Sequence, residues 1–111
     1  MDDKQRAERI RTLNDRLRYH HQGGKVMLTS GIAALDLGIQ TRILTAVARF
    51  NDFNGDNDPY GEHDCAVMKV EDHKIIWKID YYDKTMTWGS EDPADPAKTT
   101  RVLTVMLAAE Y

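Results

Sequence analysis

His73-Lys74-Ile75-Ile76-Trp77-Lys78-Ile79-Asp80-Tyr81-Tyr82-Asp83 is the stretch on which the fold turns. It is rich in isoleucine and aromatic residues and contains no glycine or proline, so it predicts a strand. Alternation along it sets Ile75, Trp77, Ile79 and Tyr81 on one face and Ile76, Lys78, Asp80 and Tyr82 on the other. The first set is the candidate core face, and the length of the strand assigns it to the middle of a sheet. Before it, Cys65 to Val70 predicts a second strand, joined to it by a tight turn at Glu71-Asp72. After it, Thr85-Met86-Thr87-Trp88 predicts a third antiparallel strand ending at Gly89-Ser90.

Farther out the period changes. Ala7, Ile10, Leu13 and Leu17 recur at spacings of three and four, which predicts an amphipathic helix from Asp3 to His20, stopped by Gly23-Gly24. Lys25-Val26-Met27-Leu28-Thr29 is long enough for one short strand, ended by Ser30-Gly31. Ile39, Ile43, Val47 and Phe50, flanked by Leu44 and Ala46, predict a helix from residue 36 or 37 to residue 50. Near the C-terminus, Asp95 as N-cap and Pro96 in the first turn predict a last helix over residues 97–110, with Val102, Leu103, Met106 and Leu107 on one side. The order α-β-α-β-β-(β)-α predicts an α+β fold, a small antiparallel sheet of about three to four strands covered by about three helices.

The chain of 111 residues is 41% hydrophobic and 30% charged, which suits one domain spanning residues 1–111. No run approaches the roughly 18 apolar residues that span a bilayer. The first residues lack the apolar core of a secretory signal, so a soluble cytoplasmic protein is expected. The single cysteine, Cys65, excludes an intramolecular disulfide and a zinc site built on two cysteines of one chain. Charge is uneven: residues 1–25 hold seven bases and four acids, while the rest holds eight bases and fourteen acids. Solvated helix faces account for this as well as any partner does.

Residues 51–64, Asn-Asp-Phe-Asn-Gly-Asp-Asn-Asp-Pro-Tyr-Gly-Glu-His-Asp, break all periodicity and predict an ordered loop. They carry Asp52, Asp56, Asp58, Glu62, His63 and Asp64 with no lysine or arginine among them. An EF-hand does not fit: counted from Asp52, position six is Asn57 and position twelve is His63, where glycine and glutamate are needed. An irregular cation site formed by Asp58, Glu62, His63 and Asp64 stays open beside the plainer use of these groups in capping turns. His63, Asp64 and Asp80 form a candidate acid-base group. On an extended strand His63 points to the same face as Cys65, although the neighbouring acids raise a thiol pKa. Sequence patterns of the common hydrolase and nucleotide-binding classes are absent.

The segments Asn57-Asp58-Pro59-Tyr60-Gly61-Glu62-His63-Asp64, Trp77-Lys78-Ile79-Asp80-Tyr81-Tyr82-Asp83, Gly89-Ser90-Glu91-Asp92-Pro93-Ala94-Asp95-Pro96 and Arg101-Val102-Leu103-Thr104-Val105-Met106-Leu107 resemble a family of small bacterial proteins, domain of unknown function 3768. The resemblance runs from about residue 8 to the C-terminus. Cys65 stands where that pattern has an aromatic residue, which argues against a shared cysteine chemistry. The resemblance implies a setting on plasmids and mobile elements of alphaproteobacteria, among genes whose small products inhibit host defence, but no activity.

These observations together lead to the expectation of a non-enzymatic binding protein, an anti-CRISPR or anti-restriction inhibitor. Its acidic face, with Asp56, Asp58, Tyr60, Glu62, Tyr82 and Asp83, would dock on a basic, nucleic-acid-binding host protein. The aromatics lie near acids, so direct nucleic-acid binding is not expected. No cofactor is expected. The alternative is a metal-assisted hydrolase centred on the acidic loop, with His63, Asp64 and Asp80 as its acid-base group.

Overall fold

The computed structural model describes residues 1–111. The elements are α1 (Asp3–His20), β1 (Gly24–Leu28), α2 (Ser30–Ala33), α3 (Leu37–Arg49), β2 (Cys65–Val70), β3 (His73–Tyr82), β4 (Thr100–Leu107) and a closing 3-10 turn, Ala108–Glu110. The α+β class holds, and four strands stand in the order β1-β4-β3-β2. β3 pairs antiparallel with both neighbours, as its apolar and aromatic content requires of an inner strand. β1 runs parallel to β4, so the sheet is mixed, which corrects the all-antiparallel expectation. The helices between β1 and the β2-β3 hairpin make that crossover possible.

Two C-terminal expectations are overturned. Residues 97–110 form no α-helix: Thr100–Leu107 is the fourth strand, and only Ala108–Glu110 coils. Val102, Leu103, Val105 and Met106 are all buried, and a strand buried on both faces reads as a continuous apolar run that a helix also satisfies. The capping signal is real but local, since the Asp95 side chain accepts the Ala97 N–H in a turn that goes no further. Thr85 to Trp88 is a turn instead of a strand. Asp83 accepts the Thr85 hydroxyl at 2.8 Å and the Thr87 N–H at 3.1 Å, Met86 adopts a φ of 61°, and one bridge, Tyr82 to Gly89, closes it.

The core lies on one side of the sheet. Ile75, Trp77 and Ile79 of β3 pack with Leu103 and Val105 of β4, Leu17 of α1, Ile32 of α2, and Ile43 and Val47 of α3. The face assigned to Ile75, Trp77, Ile79 and Tyr81 is therefore the inner one. Gly24 lets β1 approach: a Cβ there would meet the Arg101 carbonyl at 2.6 Å. No helix is long and apolar enough to cross a membrane.

Candidate functional site

Polar chemistry concentrates where α1 and the 51–64 loop meet the inner face. Asn14 and Arg18 lie on the same side of α1 as Ile10 and Leu17, so the helix carries two polar side chains into the interior. Both are buried, as is Arg101 on β4. Arg101 Nε donates to Asn14 Oδ1 at 2.9 Å, and another guanidinium N–H donates to the Pro93 carbonyl. Asn14 Nδ2 donates to the Tyr81 oxygen at 2.8 Å and to the Glu62 carbonyl at 3.0 Å. The Tyr81 hydroxyl donates onward to Glu62 Oε1 at 2.8 Å. Burial raises the Tyr81 pKa, the Asn14 bond opposing it and the Glu62 bond adding to it, so the phenol stays a neutral donor. Burial also lowers that of Arg101.

A second set surrounds His63. Arg18 donates to the Val47 and Phe50 carbonyls at 2.8 and 2.9 Å, closing the end of α3, and to Asp15 at 2.7 Å. Its guanidinium lies 5.0 Å from the Trp77 ring centre and 5.3 Å from that of Phe53. The His63 ring stacks on Phe53 at 3.8 Å, and its Nδ1 lies 3.0 Å from Asp15 Oδ1. Asp58, buried, accepts the backbone N–H groups of Glu62 at 3.1 Å and His63 at 3.2 Å. These bonds hold His63 at a φ of 54°, in the left-handed region. A nest of loop amides around a buried carboxylate and a clamped imidazole is structural work. No surface hollow is lined by His63, Asp15 or Asp58.

The candidate residues therefore separate. No three His, Cys, Asp or Glu side chains gather to hold a metal. Asp58 and Glu62 spend their oxygens on loop amides and on Tyr81. The acid-base group is split: Asp80 lies on the outer face, where it pairs with Lys78 at 2.6 Å. Asp64 is half-buried beside β3, its carbonyl accepting the Ile79 N–H at 2.7 Å, and burial followed by the nearby Glu62 raises its pKa. Cys65 does not share a face with His63, because the left-handed turn at His63 intervenes. The thiol sits opposite Lys78 on the outer face, its pKa raised by burial and then by Asp64.

Of the residues expected to dock a partner, Asp58 is interior, Glu62 is tied to Tyr81, and Asp83 caps its own turn, with a pKa lowered chiefly by the Thr85 hydroxyl. Asp56 and Tyr60 are exposed, and Tyr60 lines a hollow with the first half of α1. Tyr82 points to the outer sheet face. These six residues do not form one face. Asn14, Asp15, Arg18 and Arg101 were missed, and the polar Asn14 and Arg18 spaced four and eight residues after Ile10 were the available signal.

The outer face is the surface without a covering layer. From the strand register its rows are Lys25-Val102-Asp80, Met27-Thr104-Lys78-Cys65, Met106-Ile76-Val67 and Lys74-Lys69. Val102 and Met106, at mid-sheet, are buried, while Met27 and Val67 on the edge strands are 54% and 55% exposed. A hollow of about 540 Å³ at the β2 edge is lined by residues that include Val67, Ile76, Lys78 and Tyr111. No curated protein and no solved structure matches the chain. The model of one family, described as protein of unknown function (DUF3768), matches residues 28–110, from the end of β1 through the closing 3-10 turn, and the chain belongs to that family.

Proposed function

We propose that the chain is a non-enzymatic binding protein whose ligand is another protein. The observation that supports this is the outer face, which no helix covers: Val67 and Ile76 border an apolar hollow at its β2 edge, and Met27 stands exposed at its β1 edge. A hydrolase would need His63 beside a hollow that admits substrate, and His63 is clamped between Asp15 and Phe53 away from every one. We assign docking to the sheet face, because few loop carboxylates remain free for a basic partner. The setting follows the resemblance: a cytoplasmic product of a mobile element, acting on a component of host defence.

The test compares tagged wild type, Val67→Asp and Asp56→Asn as baits in extract of the cell that carries the gene, with circular dichroism to establish folding. A protein held by wild type and Asp56→Asn but lost with Val67→Asp is expected. One lost with Asp56→Asn and kept with Val67→Asp would return docking to the acidic loop. Hydrolysis of a model phosphodiester abolished by His63→Ala would replace binding by catalysis.

A further inference from the structure

Resting on that reading, we infer that the element recognised is an extended segment of the partner, with every second side chain apolar and acidic in turn, which adds to β2 as a fifth strand. β2 is an edge strand, and no hydrogen bond from any loop or turn reaches the backbone of residues 65–70. Its outward groups are therefore free to pair with another chain. Side chains supply the selectivity. Along β2 the outer-face residues are Cys65, Val67 and Lys69, and an added strand lays every second side chain beside them.

Val67, with Ile76 behind it in the same row, lines the hollow and takes an apolar side chain. Lys69 stands directly opposite Lys74, an arrangement of like charges that costs stability in a sheet. Neither lysine has an ion-pair partner, whereas Lys78 is held by Asp80 and Glu71 of the adjoining turn by Arg42. One lysine would suffice to guard an edge from chance pairing; two facing each other await a carboxylate. A second copy of this chain offers none on this face, since Asp80 is already taken. Nucleic acid would bring phosphates, but the rows nearest the edge hold no ring for a base to stack on, and Tyr111 is the one aromatic residue at the hollow.

The probe is a fluorescent octapeptide, Val-Thr-Glu-Thr-Val-Thr-Glu-Thr, whose one face shows valine and glutamate in turn, read by anisotropy at low salt against its valine-lysine counterpart, with lysine for each glutamate, and oligothymidylate. Binding of the valine-glutamate peptide, weakened about tenfold in Lys69→Glu/Lys74→Glu, is expected, with that variant gaining affinity for the valine-lysine peptide. The exchange of preference excludes mere loss of folding. Slowed amide exchange at residues 65–70 on binding would place the segment at the edge. Equal affinity for both peptides, tighter binding of oligothymidylate, or dimers by sedimentation that Val67→Asp abolishes would each overturn the inference. A partner that Val67→Asp still loses when no peptide binds would leave protein binding standing and remove only this chemistry.

Discussion

The two faces of the sheet are built from the same strands, and alternate residues treat polarity in opposite ways. On the inner face Arg101 and Tyr81 are neighbours across β4 and β3, and each finds its partner in Asn14 or Glu62. One residue along, Val102 faces Asp80 on the outer side, and beyond them Lys69 and Lys74 face each other unpaired. Polar groups that water cannot reach must satisfy one another. Those that water reaches are free for a partner. Chemistry-bearing residues under the helices are thus structural, and the sparser ones outside are the binding candidates.

The contrast breaks first at Trp77. Its side chain is fully buried against Phe50 and Phe53, so Trp77→Ala should cost about 3–5 kcal/mol in denaturant unfolding. A loss below about 1 kcal/mol, usual for an exposed site, would invert the faces. Arg101→Ala should come close, at about 3 kcal/mol, because it leaves the buried Asn14 Oδ1 and the half-buried Pro93 carbonyl without a donor. Combining Arg101→Met with Asn14→Leu should cost less than the sum of the two single changes, since the bond between the two side chains is then lost only once. Losses that simply add would show that the two side chains are not coupled.

How much was legible follows the same division. α1, the β2-β3 hairpin and the inner face of β3 were readable because a single period dominates each. β4 was not, because its side chains are buried on both faces and Val102-Leu103 with Met106-Leu107 fit a helical stripe as well as a strand. The bond that decides it, pairing with β1 from far along the chain, leaves no local mark. The loop's acidity was readable but not its direction: Asp58 turns inward to the amides of residues 62 and 63, and Asp56, two residues earlier, does not. Arg18 and Asn14 were hidden by their own type, since polar residues on a helix are expected outside.

A smaller effect is expected at the loop. His63→Ala removes the Phe53 stack and the Asp15 contact and leaves a left-handed φ that alanine tolerates poorly, for a loss of about 1–3 kcal/mol. Binding of the valine-glutamate peptide by the folded fraction should be unchanged. A fall in affinity without a fall in stability would tie the loop to the docking face. On that face, Val67→Asp should shift unfolding by no more than about 0.5 kcal/mol, as for surface substitutions.

The smallest effect carries a sign that separates interior from surface carboxylates. Burial raises the Asp64 pKa above 3.8, so the folded chain holds that proton more tightly than the unfolded one. Ionised Asp64 therefore weakens the fold at neutral pH, and the penalty is relieved as pH falls through the folded pKa towards 3.8. Asp64→Asn should be the more stable protein at pH 7, by under about 0.5 kcal/mol because water screens a half-exposed group. The margin should narrow on acidification. Asp83, whose carboxyl is held below the usual range by Thr85, predicts the reverse for Asp83→Asn: less stable than wild type at pH 7, with the deficit closing only as acid protonates Asp83 itself. Paired thermal melts of the two variants at pH 7 and near pH 4 check both signs. A wild type more stable than Asp64→Asn at neutral pH would place Asp64 among carboxylates that the fold supports, beside Asp58 at the centre of the loop.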